Sequence, residues 1–240
     1  MLLAIDTATS HISLALHDGH AIVGEITWLS ANNHTLELAP AVQALLSRAH
    51  LTLADLTALA VAIGPGSYSA LRIGVAFAKG IAGLRLGTET PLPLVGVTTL
   101  DISALAAPHF PGDLIPVVQA GRTRVTAARY TWSDADARWR IASEMQNYAW
   151  EDLIAEVRDR KTAAWFTGEV DVTGAQAIAA AQGAGIPVTL VPSALRLRRA
   201  GFLAQEAWSQ LSASEHEEVS KRNALFDAAA LVPVYVKTNL

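Results

Sequence analysis

Alternation of apolar and polar residues predicts that the chain opens with three short strands. Residues 12–16 alternate with a period of two, which is typical of a half-buried strand. An apolar run at 2–5 precedes it and a third predicted strand at 21–29 follows it, and Asp18-Gly19 before the third segment is a strong hairpin signal. The opening is therefore predicted to be a three-stranded meander.

Two helices predicted after the meander carry more apolar residues than one buried face requires. The helix at 35–50 has an apolar stripe at helical spacing, and the helix at 70–84 is apolar almost all round, with only Arg72 and Lys79 on a polar strip. Such a pair is either fully buried in a larger core or presents a surface to a partner, and both interpretations stay open at this point. The stripe residues chosen as candidates for the partner interface are Leu38, Val42, Leu45, Leu71, Val75 and Ala78.

The order of elements repeats in the second part of the chain. Strands come first and then alternate with helices, and after a break at 108–111 the same order returns. This pattern indicates an α/β fold with two related halves, 1–107 and 108–240. A late helix at 195–211 is a candidate to pack back on the first half.

Composition predicts a folded protein and excludes several kinds of site. Of the 240 residues, 51% are hydrophobic and 17% are charged, so a large core is available and disorder is not expected. The absence of cysteine rules out disulfides, thiol catalysis and thiolate metal sites.

The net charge of −4 argues against nucleic-acid binding by the chain alone. No apolar run is as long as a membrane span, and the apolar start meets Asp6 too early for a signal peptide.

Two turns contain residue types that suit a phosphate site. Asp6 and Thr7 follow the first strand, where an acid and small hydroxyl residues permit close approach of a metal-bound phosphate. Gly64, Gly66 and Ser67 precede a helix whose free amides and dipole favour an anion. Their spacing is neither that of a Walker A loop nor that of the dinucleotide fingerprint. A purely structural turn is the alternative in both places, and for the second turn the residues alone favour it.

The histidine and arginine residues do not form a recognisable site. The seven histidines include no pair at i, i+4 spacing, which argues against a metal centre. Six arginines are able to contact phosphates, namely Arg196, Arg198 and Arg199 together with Arg122, Arg124 and Arg129. In an acidic chain such a run is more often a solvated face.

Four segments, taken in order, resemble the TsaB (YeaZ) family. They are Leu3-Ala4-Ile5-Asp6-Thr7-Ala8-Thr9, His34-Thr35, Gly64-Pro65-Gly66-Ser67-Tyr68-Ser69-Ala70-Leu71-Arg72-Ile73-Gly74 and Val95-Gly96-Val97-Thr98-Thr99-Leu100. The Gly-Pro-Gly-Ser stretch is the specific one, whereas the turn after the first strand is shared with many relatives. Near the end, Pro233-Val234-Tyr235-Val236-Lys237 resembles the family's C-terminal segment.

The resemblance implies the actin-like ATPase (ribonuclease H-like) fold, in which each of two half-domains has a mixed sheet flanked by helices. In this family the first two helices pair with the catalytic paralogue TsaD. On this basis Asp6, Thr7, Gly64, Gly66 and Ser67 are expected to shape a vestigial nucleotide cleft, with no catalytic residue and no metal ligand in this chain.

The resemblance also implies a function. The chain is expected to be a non-catalytic scaffold that works with TsaD and the ATPase TsaE in transfer of a threonylcarbamoyl group to N6 of the tRNA adenosine beside the anticodon. ATP is then used by the complex rather than bound tightly by this chain, and tRNA binds through the complex. A cytoplasmic location, no membrane contact and a homodimer of the isolated chain are further expectations.

One departure from the family pattern concerns catalysis. Relatives usually have Asp-Ala-Arg before a strand of the second half, whereas this chain has Gln119-Ala120-Gly121-Arg122, so an acid of the cleft is lost. The alternatives are an ATP-dependent small-molecule kinase and a glycoprotease-like metallopeptidase of the same superfamily. The kinase would need a further acid in the cleft and the peptidase would need paired histidines, and the sequence indicates neither.

Overall fold

A computed structural model describes residues 1–30, 33–84, 92–121, 123–214 and 216–236. The strands in these ranges are β1 (Leu2–Asp6), β2 (His11–His17), β3 (Ile22–Leu29), β4 (Ala58–Ala62), β5 (Leu94–Val97), β6 (Asp113–Gln119), β7 (Arg124–Ala127), β8 (Tyr130–Ser133), β9 (Arg138–Ile141), β10 (Gln146–Ala149), β11 (Ala164–Gly168) and β12 (Val188–Leu190). The helices are α1 (His34–Arg48), α2 (Tyr68–Gly83), α3 (Thr99–Leu105), α4 (Trp150–Arg160), α5 (Val172–Gly183), α6 (Ser193–Arg196), α7 (Ala200–Ala213) and α8 (Val219–Leu225), with a 3-10 helix at Leu53–Asp55. None of these described helices has the length and apolarity of a membrane span.

Two sheets with the same strand order form the framework of the fold. The first sheet has the order β3-β2-β1-β4-β5, and the second has the order β10-β7-β6-β11-β12. In both, the first two neighbouring pairs are antiparallel and the last two are parallel. The hairpin β8–β9 lies off this path and joins the second sheet where Tyr130 pairs with Leu114. The repeated mixed sheet confirms the predicted α/β class with a mixed sheet in each of two related halves.

The chain divides into two units whose bounds differ from the halves proposed from the sequence. The first unit comprises Met1–Thr98 and Arg199–Val234, and the second comprises Thr99–Arg198 and Tyr235–Leu240. The division lies at residue 98 rather than at residue 107, because α3 packs on β6 of the second sheet.

Helix α7 comes from late in the chain and covers one face of the first sheet. The region proposed as one helix at 195–211 is two helices, α6 and α7, and α7 packs on β1 and β2. Odd-numbered residues of β2 face α7, since Ser13 Oγ accepts a hydrogen bond from the Ala200 amide and the His17 ring bonds to Gln205. Even-numbered residues of β2 therefore face α1 and α2 on the opposite side, as the alternation predicts.

The second unit has its own core on both faces of its sheet. Helices α4 and α5 cover one face, where Trp150 lies 6.2 Å from Phe166 between ring centroids. The other face is covered by α3. This helix has only seven residues, whereas α7, which covers a face of the first sheet, has fourteen. The aromatic residues Tyr130 and Trp139 of the β8–β9 hairpin are buried against the same face and complete its cover.

Candidate functional site: the turn after β1 and the outer sides of the first two helices

The turn after β1 uses its own polar side chains to hold the structure together. Asp6, which is 1% exposed, accepts a hydrogen bond of 2.9 Å from the amide of Ala8. The Thr7 hydroxyl is also buried and donates to the carbonyl oxygen of Ala70 in α2, at 2.8 Å. Both side chains are therefore engaged within the turn and with the start of α2.

The Gly-Pro-Gly turn packs directly against the turn after β1. The Ser67 amide donates to the carbonyl oxygen of Ala8 at 2.8 Å, and a Cβ on Gly66 would overlap that same oxygen. Further along α2, a Cβ on Gly74 would overlap the Thr7 hydroxyl. Glycine is needed at both positions because backbone and side chain approach more closely than a Cβ permits.

All five residues proposed for the cleft come together in the first unit. Asp6, Thr7 and Gly64 are buried, Gly66 is half-buried and Ser67 is exposed. The two turns pack directly on each other, backbone against backbone. This packing agrees with the alternative that both turns have a purely structural role. A vestigial nucleotide cleft at this place stays a prediction.

His34 connects the same turn to α1, which sequence reasoning did not anticipate. It is the first residue of α1 and is 5% exposed, and its Nε2 lies 2.8 Å from the carbonyl oxygen of Thr9. Since a carbonyl oxygen only accepts, Nε2 carries the proton in this hydrogen bond. The sequence signal for this contact was a histidine placed directly before a predicted helix that has an apolar stripe.

The six side chains proposed for the partner interface lie in the core, and this choice is corrected. All are at most 5% exposed and belong to the apolar faces that α1 and α2 turn to the first sheet. They are Leu38, Val42, Leu45, Leu71, Val75 and Ala78. The large apolar residues of each helix repeat at three- and four-residue spacing, so they form the stripe that covers the sheet.

The outer sides of α1 and α2 form an exposed area of mostly small side chains, called here the outer helix surface. Its members on α1 are Leu36, Ala39, Pro40, Gln43, Ala44 and Ser47, and on α2 they are Ser69, Arg72, Ala76, Gly80 and Gly83. Leu36 is the largest apolar member and is 74% exposed. The half-buried Ile73 and Phe77 lie beside it on α2.

The charges of the outer helix surface are positive. Arg72 lies with its guanidinium carbon 5.2 Å from the centroid of the Tyr68 ring and donates to the Tyr68 hydroxyl at 3.1 Å. Lys79, at the edge of the surface, donates to the carbonyl oxygen of Ala229 at 3.2 Å. Within the described ranges, neither side chain has a carboxylate within ion-pair distance.

The carboxyl ends of β6 and β11 contain an acid that the sequence reasoning missed. Gln119, at the end of β6, donates through Nε2 to the carbonyl oxygen of Glu169 at 3.0 Å. The Glu169 carboxylate accepts a hydrogen bond of 3.5 Å from the backbone N–H of Gln119. Glu169 follows directly after Gly168, the last residue of β11. The pairing of β11 with β6 in the sheet is what brings this acid to Gln119.

Two residues of the arginine run are built into the protein, whereas Arg199 is exposed. Arg196 donates to the carbonyl oxygens of Gly168 and Val170 at 3.5 Å, and burial lowers its pKa. Arg198 is 5% exposed. Arg199 makes an ion pair of 2.6 Å with Glu25. Arg122 lies outside the described residues.

A shallow depression in the second unit holds charged groups that pair with one another. Asp113, buried at the start of β6, lies 3.3 Å from Arg160 and 3.8 Å from Arg129. Burial, followed by the hydrogen bond and charge of Glu156, raises the pKa of Tyr148 to about 12. Over the part of the chain that the structure covers, no group of three His, Asp or Glu side chains is placed to hold a metal ion.

Comparison with known proteins identifies the family. A family model described as "TsaD: tRNA N6-adenosine threonylcarbamoyltransferase" matches residues 21–158. The chain belongs to this family. Within it, the chain is 26% identical to the tRNA threonylcarbamoyladenosine biosynthesis protein TsaB of Bacillus subtilis (strain 168), over 98% of this chain and 93% of that protein. It is 39% identical to the protein of the same name from Escherichia coli (strain K12), over 53% of this chain and 48% of that protein.

Solved structures support the same assignment at the level of the fold. The structure of YeaZ from Pseudomonas aeruginosa is 22% identical and has a TM-score of 0.67, over 98% of this chain and 99% of that one. A second P. aeruginosa structure, described as similar to the peptidase YeaZ, is 23% identical with a TM-score of 0.68 over the same shares. Together with the named relatives, these matches confirm the expected TsaB (YeaZ) relationship.

Proposed function

We propose that this protein is a TsaB-type subunit in the biosynthesis of threonylcarbamoyladenosine in tRNA, and that it acts by binding a TsaD-type paralogue. The reaction served is transfer of a threonylcarbamoyl group to N6 of the tRNA adenosine beside the anticodon. The family match at residues 21–158 and the names of the two curated relatives support this function. The kinase and metallopeptidase alternatives are not favoured by those names.

The outer helix surface is the observation that carries the proposal. Small residues at 76, 80 and 83 of α2 recur at helical spacing, and small side chains let a second helix approach closely. The neighbouring face of α1 has no charge between Glu37 and Arg48 and exposes Leu36. An exposed, weakly charged area on two adjacent helices is typical of a protein-binding surface.

In this proposal the chain is a scaffold and not a catalyst. The Asp6 and Thr7 side chains are engaged in holding the turn and α2. The turn after β1 also fixes the positions of α1 and α2, the two helices that contact the partner. The TsaE-type ATPase, the use of ATP and the contact with tRNA then belong to the assembled complex, in the cytoplasm where the tRNA is modified.

Reconstitution of the reaction tests the proposal. A TsaD-type paralogue, a TsaE-type ATPase, tRNA, ATP and the threonylcarbamoyl adenylate are combined with or without this chain, and the modified nucleoside is measured by mass spectrometry. We expect product only when the chain is present together with the paralogue, and none from the chain alone. Equal product with and without the chain contradicts the proposal.

A further inference from the structure

Strand β3 is an open edge of the first sheet. It pairs with β2 on one side, and among the described residues no backbone group hydrogen-bonds to its other side. The opposite edge of the same sheet is covered, because the Leu94 amide of β5 donates to the carbonyl oxygen of Phe226 at 3.0 Å and Leu231 lies against Gly96. An open edge offers its free N–H and C=O groups to a further strand.

The ladder between β2 and β3 determines which peptide groups of β3 point outward. The Ser30 amide donates to the carbonyl oxygen of Ser10 at 2.8 Å, so the even-numbered residue of this pair bonds to the β2 side. Along an antiparallel strand, successive residues bond to alternate sides. The register with β2 shifts at Val23, and this bulge ends the regular part of the edge. Within the regular part, 24–30, the outward peptide groups are those of Glu25, Thr27 and Leu29.

Apart from the bulge, β3 lacks the features that protect natural sheet edges. Such edges commonly have proline, lysine or an unpaired charge. Strand β3 has neither proline nor lysine, and its one charged residue is Glu25. The Glu25 carboxylate is turned onto α7, where it accepts from the Gly201 amide and from Arg199. Leu29, at the end of the strand, is 66% exposed. The edge is therefore open and has no free charge of its own.

We infer that β3 pairs with β3 of a second copy of this chain, antiparallel and centred on Thr27, so that the first sheets of both copies form one continuous sheet. The regular part of the edge, 24–30, is symmetric about Thr27, so this register uses all of it. Thr27 exchanges two hydrogen bonds with Thr27 of the second copy, and Glu25 does the same with Leu29 of the second copy. The contact does not involve the outer helix surface, so the inference does not rest on the proposed function.

The cross-strand neighbours in this register suit one another, which favours a second copy as the occupant. Directly opposed residues of antiparallel strands point to the same face. Trp28 thus lies beside Ile26 of the second copy, and an aromatic residue next to a β-branched one is a favourable pair. Glu25 lies opposite Leu29, whereas a register centred on Glu25 would oppose two carboxylates. One sequence therefore supplies both sides of a compatible pair, as a symmetric dimer requires.

Hydrogen exchange of single amides in the wild-type chain tests the inference. Exchange rates are measured by NMR at protein concentrations of about 50 µM and about 1 mM, because association depends on concentration. The outward amides of Glu25, Thr27 and Leu29 are compared with the inward amides of Ile26 and Trp28.

Two variants locate the contact independently. Leu29→Glu places a carboxylate opposite Glu25 of the second copy, and the matched control Leu36→Glu changes a similarly exposed leucine on the outer helix surface. Self-association of the wild type and of both variants is measured by sedimentation equilibrium, and circular dichroism verifies that each variant is folded.

We expect the outward amides to exchange at least about fivefold more slowly at the higher concentration, while the inward amides are unchanged. Leu29→Glu should weaken self-association about tenfold, because like charges are then opposed, and Leu36→Glu should self-associate like the wild type. The inference is overturned if the outward amides exchange equally fast at both concentrations, or if Leu36→Glu weakens self-association and Leu29→Glu does not. Outward amides that become protected only when a TsaD-type paralogue is added also overturn it, since the added strand then comes from a different chain.

Discussion

Nε2 of His34 lies 2.8 Å from the carbonyl oxygen of Thr9, so the first residue of α1 is bonded to the turn that follows β1. Two residues earlier in that turn, Thr7 donates to Ala70 in the first turn of α2. One short turn therefore fixes the starts of both helices that form the outer helix surface.

Replacing His34 should loosen this connection. His34→Ala leaves the buried carbonyl oxygen of Thr9 without this donor, and an unsatisfied buried group costs about 1–3 kcal/mol. We expect a loss of that size in the free energy of unfolding measured in urea, with earlier hydrogen exchange at the start of α1. His20→Ala, at an exposed position, serves as the control and should be close to neutral.

The contact between Gly74 and Thr7 predicts strong coupling between the two positions. Gly74→Ala places a methyl group on the Thr7 side chain, and such overpacking costs about 1–3 kcal/mol. Thr7→Ala removes the overlapping atoms but also the hydrogen bond to Ala70. In a double-mutant cycle of unfolding free energies, the double variant should lose less stability than the sum of the single variants. Additivity within about 0.5 kcal/mol would contradict the close contact.

Adjacent positions on α2 should respond in opposite ways to the same substitution. Val75 is 5% exposed and faces the sheet, whereas Ala76 is exposed on the outer helix surface. Val75→Glu buries an unpaired carboxylate, which costs several kcal/mol, so thermal unfolding should show a destabilised or unfolded protein. Ala76→Glu should change stability by no more than about 0.5 kcal/mol. The reverse order of stabilities would contradict the orientation of α2.

The orientation of these two helices was the main feature that the sequence left open. Leu71 and Val75 follow helical spacing, but Ile73 and Phe77 are also apolar, so periodicity alone offered more than one buried face. Only the packing on the sheet distinguishes them. In retrospect, the run of small residues at Ala76, Gly80 and Gly83 marked the side that does not fill a core.

Local sequence patterns predicted the strands well but did not predict the long-range contacts. Alternation at 12–16 correctly separated the two faces of β2, and the repeated order of elements indicated the two related sheets. The place of α7 could not be found in this way, because Glu25 accepts from Arg199 and from the Gly201 amide across more than 170 residues. Contacts of this kind leave no periodic signal in the sequence.

Stability at alkaline pH should depend on Tyr148. Burial is the main cause that raises its pKa to about 12, whereas a tyrosine in an unfolded chain ionises near pH 10. The folded protein thus holds the phenolic proton more tightly, and the stability contributed is complete below about pH 10 and is lost as the pH rises through about 12. In urea unfolding across this range, Tyr148→Phe should show a smaller alkaline loss than the wild type. The variant Tyr68→Phe, at an exposed position, should not reduce that loss.

The measurement that tests the central claim most directly is the dissociation constant between this chain and a TsaD-type paralogue for Ala76→Glu and Ala179→Glu. Both variants place a glutamate at an exposed alanine of a helix, on the outer helix surface and on α5 respectively. If the outer helix surface binds the paralogue, Ala76→Glu should weaken binding at least about a hundredfold, because a long side chain then lies where a small one lets a second helix approach closely, and Ala179→Glu should bind like the wild type. Wild-type binding by a folded Ala76→Glu variant would contradict the account.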